Sequence, residues 1–223
     1  MDEYFLPSHV HCCRRGDAFV FLDLKQDDYS LVAGPAASEL NALMNADATV
    51  AIKHLGELEQ GGLLTKDRAT GRPLQATECD VALEALLDDA TAAANIRIVD
   101  YWNFFAACTA ATLRLRWQPI EKTVKAVAKR KAKHAANTAI ELAKARHLMA
   151  VFQRLRSLFP ANYLCLFDSL ALIEFLARYR TFPTWVFGVR LEPWGAHCWI
   201  QQGPFTFNEG AEEAASYTPI MAI

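Results

Sequence analysis

The sequence predicts an α+β protein with a small N-terminal unit, residues 1–70, and a helix-rich second unit, residues 78–223, that ends in an antiparallel sheet. Three observations lead to this prediction. Short runs of β-branched and aromatic residues, separated by turn residues, fill the chain up to residue 33. Apolar residues then recur at helical spacing through most of the chain up to residue 179. Strand-like runs return from residue 185, with Gly and Pro at the turns between them.

The N-terminal unit has the pattern of three strands followed by two helices, a winged-helix-like arrangement. Gly16-Asp17 and Gln26-Asp27 mark the turns between strands, and Gly61-Gly62 ends the second helix. A stretch with linker composition, residues 67–80, follows. The predicted elements are the strands Leu6–Cys13, Ala18–Lys25 and Asp28–Ala33 and the helices Ser38–Asn45 and Thr49–Gln60.

The second unit begins with four segments of helical periodicity, and a fifth helix is predicted to begin near Cys165. Asn162 is its predicted N-cap, because the asparagine side chain accepts hydrogen bonds from first-turn N–H groups. The aromatic run Tyr101–Phe105 is expected to lie in the core. The predicted helices span residues 80–94, 98–117, 119–133, 138–159 and 165–179, and the predicted strands span residues 185–191, 196–200 and 205–209.

Composition argues against several classes of function. The formal net charge is −2, and Glu57 and Glu59 offset Lys53 on the second predicted helix, so no nucleic-acid partner is expected. No apolar run approaches the length of a membrane span and the start lacks a basic signal region, so we expect a cytoplasmic protein with no membrane partner. The six cysteines should then be thiols. Without a P-loop or a GxGxxG motif, the sequence shows no cofactor.

A metal site is not expected either. His9, His11 and Cys13 share one face of the first predicted strand. Alternate residues lie about 6.6 Å apart along a strand, which is too far for three of them to converge on one zinc ion.

The last quarter of the chain holds the residues of a cysteine-based active site. Cys165 lies in the predicted first turn of a helix, where unpaired N–H groups and the helix dipole favour a thiolate. His197 follows on a predicted strand, and Glu209 lies at the end of the next strand. Nucleophile, base and orienting carboxylate are the three groups that such catalysis needs. Alternatively, taken singly, Cys165 is an inert buried thiol, His197 a core histidine and Glu209 a surface acid.

The residues around these three resemble a known family. Cys165 to Leu172, Gly188-Val189-Arg190, Ala196 to Trp199 and Asn208-Glu209 are similar to the transglutaminase-like cysteine protease domain of lasso peptide biosynthesis. Its pattern is C-L-x-R-S-L-A-L, then G-V-R, A-H-A-W-V and N-D. Asp168 stands where the family usually has arginine, and Glu209 where it usually has aspartate. The resemblance implies a papain/transglutaminase-like fold and a Cys165–His197–Glu209 triad that cleaves the leader from a lasso precursor before macrolactam formation.

The N-terminal unit resembles the RiPP recognition element, which binds a leader peptide as an added strand. The resemblance implies two partners, a lasso precursor peptide and a macrolactam cyclase similar to asparagine synthetase, and ATP dependence through that cyclase. The implied groove lies between the third strand and the second helix, and strand addition of this kind uses exposed backbone groups for affinity. The expected leader-binding residues are Asp28, Tyr29, Ser30, Leu31, Val32, Ala51, His54, Leu55 and Leu58.

Two alternatives share this pattern. A transglutaminase-type acyl transferase would use the same three residues and pass the acyl group to an amine instead of water. A non-catalytic precursor-binding chaperone with a decayed site would account for the departures at Asp168 and Glu209. Since apolar residues in so small a unit also form its core, the leader-binding residues have a purely structural alternative as well.

Overall fold

A computed structural model describes residues 3–45, 51–86, 95–134 and 141–223. Its helices and strands form a mixed fold with a small N-terminal three-stranded sheet and a C-terminal sheet, which confirms the predicted fold class. Among the described residues, no helix is both long enough and apolar enough to cross a membrane.

The N-terminal sheet consists of β2 (Val10–Arg15), β3 (Ala18–Asp23) and β4 (Asp28–Val32), paired antiparallel in that order. Phe19 and Phe21 on one face pack with Leu40 of α1 (Pro35–Met44) and Leu55 of α2 (Leu55–Gln60). Val20 and Leu22 on the other face join the core of the second unit. The sheet is therefore buried on both sides. The division into units at residues 70 and 78 stays a prediction.

The second N-terminal helix begins later than predicted. Residues 49–50 lie outside the described part, and α2 starts at Leu55. Glu39 of α1 is the reason, since its buried carboxylate accepts the backbone N–H groups of Lys53 and His54 at 3.0 and 2.8 Å. This tertiary contact satisfies donors that a longer helix would have used. The linker prediction also fails in part, because β5 (Gly71–Arg72) pairs with β1 (Leu6–Pro7).

The second unit packs helices against a five-stranded sheet of order β10-β7-β8-β9-β6. Helix α6 is the central helix and contacts both α3 and β8. Ser169, Leu172 and Leu176 follow Cys165 at i+4, i+7 and i+11, a spacing that predicts one buried helix face, and all three are fully buried. The elements are β6 (Glu84–Ala85), α3 (Ile98–Trp117), α4 (Ile120–Lys133), α5 (Leu142–Arg156), α6 (Cys165–Arg178), β7 (Thr184–Leu191), β8 (Trp194–Gln202), β9 (Phe205–Thr206), α7 (Ala211–Ser216) and β10 (Thr218–Ala222).

Three predictions for this unit are wrong in part. The strand predicted over 205–209 ends at Thr206, so Glu209 lies beyond the strand. The helix predicted over 80–94 is absent from residues 80–86, where β6 instead runs parallel to β9. The backbone N–H groups of Leu83 and Glu84 donate to the Pro204 carbonyl and hold this segment beside β9. Residues 87–94 lie outside the described part. The aromatic run on α3 is not all core, since Phe104 is buried but Trp102 is 75% exposed. Residues 138–140 of another predicted helix are also outside the described part.

Candidate active site

Cys165 is the first residue of α6, as the sequence predicted, but its helix is capped differently. Leu164 occupies the N-cap position and makes no side-chain cap hydrogen bond, so the prediction for Asn162 is wrong. A cysteine at this position has a backbone N–H without an intrahelical partner, and the positive end of the helix dipole lies beside its thiol.

Arg156 at the end of α5 holds the loop that leads into Cys165. Its guanidinium, which is buried, donates to the carbonyl oxygens of Phe159, Ala161 and Asn162 at 3.1–3.2 Å. It also donates to the Asp168 carboxylate. Asp168 therefore has a specific partner on a neighbouring helix, and its departure from the family pattern is matched by an arginine elsewhere in the site.

His197 and Glu209 form the second part of the site. Strand β8 carries His197, and its Nε2 lies 2.6 Å from an Oε atom of Glu209, just after β9. The other Glu209 oxygen accepts the Gly210 N–H at 3.0 Å, which fixes the carboxylate. Because Nε2 is taken by Glu209, the hydrogen bond between His197 and Cys165 falls to the other ring nitrogen, Nδ1. The structure thus brings all three predicted residues together.

The electrostatics of the cluster favour a thiolate and an imidazolium. The pKa of Cys165 falls from about 9 to about 4, first because of a hydrogen bond from the Cys198 thiol and second because of one from His197. The pKa of His197 rises to about 9, mainly through its hydrogen bonds with Cys165 and then Glu209. The hydrogen bond from His197 lowers the pKa of Glu209. Between these pH values the cluster holds a charged Cys165–His197 pair beside an ionised carboxylate.

Cys198 is the participant that the sequence did not reveal. Strand alternation places Cys198 on the face opposite His197, and because that face meets α6, its thiol reaches Cys165. It is buried, its pKa is raised well above the usual range by that burial, and its sulfur lies 3.9 Å from Ser169 Oγ. The available signal was its position in the A-H-A-W-V pattern, where alanine is usual.

Ser169 and Asn208 tie this cluster to the sheet. Ser169 Oγ donates to the Cys198 carbonyl at 3.0 Å and accepts from the Asn208 amide at 3.0 Å. The amide oxygen of Asn208 in turn accepts the Ile200 N–H at 2.7 Å. Helix α6 and strand β8 are therefore fixed to one another within a turn of Cys165, which sets the distance between the thiol and the imidazole.

The predicted leader-binding residues lie in several environments. Strand β4, Asp28–Val32, is an edge strand that pairs with β3 within the described residues. Pairing with Phe21 and Phe19 places Ser30 and Val32 on the helix face, whereas Tyr29 and Leu31 point to the opposite face. Tyr29 packs edge-on against Trp194 at 5.9 Å, and Leu31 is 59% exposed.

The four residues predicted on the helix side of the leader groove also lie in different environments. Leu55 is fully buried and Leu58 packs against the same small core. His54 Nδ1 lies 2.7 Å from Glu39, and Ala51 is exposed before α2 begins. Within the described residues, Asp28 and Leu31 of β4 are exposed, and so are Ala51 and His54 before α2, so part of the predicted set is accessible and part belongs to the core.

Within the described ranges, no group of three or more His, Cys, Asp or Glu side chains has the geometry to hold a metal ion. His11, one of the residues considered from the sequence, is half-buried, and its loss of contact with water lowers its pKa to about 3.

Comparison with known proteins places this site in a class. A sequence model described as the Transglutaminase-like superfamily matches residues 105–222, just over half of the chain. The chain therefore belongs to the transglutaminase-like superfamily. The matched segment runs from α3 to β10 and includes Cys165, His197 and Glu209. No curated protein and no solved structure matched the chain.

Proposed function

We propose that this protein is a cysteine peptidase that binds a lasso precursor peptide through its leader and cleaves the leader from the core before macrolactam formation. The observation that carries the proposal is the convergence of the Cys165 thiol, the His197 imidazole and the Glu209 carboxylate, with the pKa of the thiol lowered to about 4. Membership of a superfamily that includes cysteine proteases and acyl transferases supports the class of chemistry.

The roles follow from the geometry. The Cys165 thiolate attacks the carbonyl carbon of the scissile peptide bond, and its own backbone N–H, free at the helix start, donates to the oxyanion. His197, protonated on Nδ1, gives that proton to the leaving amine. The Glu209 carboxylate holds the ring and stabilises its positive charge. Water activated by His197 then hydrolyses the thioester, which returns the free thiol.

The open edge of β4 supports the assignment of leader binding to the N-terminal sheet. Edge strands present unpaired backbone groups, and an extended peptide that pairs with them gains affinity without a deep pocket. Leu31→Pro, which removes one backbone donor, should weaken binding of a labelled leader peptide, whereas Leu31→Ala should retain it. Equal loss in both variants would assign the effect to the side chain, and no loss in either would remove β4 from the leader site.

The acyl-transferase alternative uses the same cluster, so the products must distinguish them. Hydrolysis gives two fragments whose masses sum to the precursor plus one water, whereas transfer to an amine gives an isopeptide-linked product. The chaperone alternative predicts no product. It draws little support from this site, because Glu209 contacts His197 and Asp168 has its own partner in Arg156.

The experiment is incubation of the protein with a lasso precursor peptide that carries a leader, with and without a lasso cyclase and ATP. Both are included because the family resemblance implies a cyclase partner similar to asparagine synthetase and ATP dependence through it. The peptide products formed by wild type and by Cys165→Ala are identified by mass spectrometry. Cleavage by wild type alone is the expected result, and equal cleavage by Cys165→Ala would refute the proposal.

A further inference from the structure

A mostly apolar cleft lies beside the Cys165 thiol, and residues from both ends of the chain form its wall. Leu22 of β3, Leu24 in the turn after it and Tyr29 of β4 form one side, and Phe187 of β7 and Ala196 of β8 form another. The cleft has a volume of about 140 Å³ and includes Cys165 and His197 in its lining.

The wall of this cleft is fixed before any ligand arrives. Leu22, Leu24 and Phe187 are each at least 95% buried, so their positions are set by core packing. Tyr29 is held by its edge-on contact with Trp194. Ala196 is exposed and lies at the mouth, where a larger side chain would enter the cleft without displacing the core.

We propose that this cleft is the subsite for one aliphatic side chain of the substrate, within two residues of the bond that Cys165 attacks. The inference rests on the proposed function and adds its substrate preference. An apolar cavity of about 150 Å³ accommodates a molecule the size of benzene, so this cleft has room for a leucine-sized group. A polar side chain would lose water in this mostly apolar lining, and the carboxylate of Asp27, also in the lining, disfavours an acidic one.

This placement gives the N-terminal sheet a second role, in the substrate subsite beside Cys165. Leu22 of β3 and Leu24 just after it lie in the same core cluster as Phe187, so the sheet is packed against the second unit at the active site. The sheet therefore completes the substrate site beside the nucleophile, in addition to the proposed leader contact at the outer edge of β4.

The test uses N-acetyl dipeptidyl chloromethyl ketones, in which Cys165 displaces chloride and the label is read by intact mass and peptide mapping. In each ketone one residue of the dipeptide is Ala and the other is Gly, Leu, Phe, Asn or Asp, and each pair is made in both sequence orders. At one of the two positions Leu should react about ten- to one-hundredfold faster than Gly, the range expected for an apolar pocket, and Asp should be slowest. Equal rates for Gly and Leu at both positions, or a preference for Asn or Asp, would overturn the subsite.

Two variants test whether this cleft is the source of the preference for Leu over Gly. Ala196→Leu should reduce the advantage of Leu over Gly to about twofold or less, because the new side chain occupies the cleft, and Ala215→Leu on the exposed face of α7 is the matched control. Tyr29→Ala should widen the cleft and raise the rate with Phe to at least that with Leu. A preference unchanged in both Ala196→Leu and Tyr29→Ala would place it elsewhere.

Iodoacetamide separates this inference from the proposed function. If Cys165 reacts with iodoacetamide and with all of the ketones at equal rates, the subsite is refuted while the nucleophile stands. If Cys165 reacts with none of these reagents, the nucleophile and the subsite are refuted together.

Discussion

Replacing Cys198 by alanine should raise the pKa of the Cys165 thiol and leave its reactivity at neutral pH unchanged. In the structure, the Cys198 thiol donates the hydrogen bond that contributes most to the low pKa of Cys165, about 4. A hydrogen bond to a charged group contributes about 1.5–3 kcal/mol, and a thiol is a weak donor, so the lower value applies. One pKa unit corresponds to about 1.4 kcal/mol, so the variant should titrate near pH 5.

The assay is the rate of iodoacetamide alkylation of Cys165 between pH 3 and pH 8, read by peptide mapping. The thiolate is the reacting form, so the wild-type rate should be flat above about pH 5 and fall as the pH drops through 4. The other five cysteines have raised pKa values, chiefly through burial, and should react far more slowly in this range. In Cys198→Ala the acid limb should move up by about one unit, with about a fivefold lower rate at pH 4.

Cys198→Ser is the matched control, because its hydroxyl keeps a donor at the same place and should keep the wild-type acid limb. An acid limb in Cys198→Ala that coincides with that of wild type would show that the Cys198 thiol does not stabilise the thiolate. An equal shift in Cys198→Ser would assign the effect to packing. A wild-type rate that still rises steadily with pH up to pH 8 would refute the charged Cys165–His197 pair itself, because the thiol would then have an ordinary pKa.

Three further predictions concern the supporting residues. Glu209→Gln should fold normally, lower the pKa of His197 from about 9 and slow peptide cleavage at least about a hundredfold. The cleavage rate and an NMR titration of the imidazole are the two measurements. An unchanged rate would remove Glu209 from the mechanism. Arg156→Met should lower the free energy of unfolding in urea by about 3–5 kcal/mol, because it leaves the Asp168 carboxylate and three carbonyls without their donor, and a loss below about 1 kcal/mol would contradict this. Glu39→Ala should cost about 1–3 kcal/mol in the same assay by unpairing two N–H groups before α2, whereas exposed Glu57→Ala should cost little.

Elements set by local signals were predicted well from the sequence. The turn at Gly16-Asp17 predicted the observed start of β3, although the strand ends at Asp23 rather than Lys25, and the spacing of Ser169, Leu172 and Leu176 predicted the buried face of α6. Helix α3 was predicted with its observed bounds. The order of Cys165, His197 and Glu209 along the chain was enough to predict a cluster, because a helix start and two neighbouring strands meet at one edge of such a fold.

Features that depend on distant contacts were missed. The late start of α2 is set by Glu39 of α1, and β6 exists because Pro204 accepts its N–H groups; neither partner is near in sequence. The exposed Trp102 was expected in the core because periodicity does not tell which apolar face of α3 meets α6. The contact of Cys198 with Cys165 requires the packing of α6 on β8, which strand alternation does not provide.

The most direct test of the proposed peptidase activity is the comparison of Cys165→Ala with wild type on the same peptide. Wild type should convert the precursor into two fragments whose masses sum to the precursor plus one water. Cys165→Ala should form neither fragment and should bind the labelled leader with the wild-type Kd, since leader binding is assigned to β4. Fragments formed at the wild-type rate by Cys165→Ala, or an isopeptide-linked product in place of the hydrolysed pair, would contradict it.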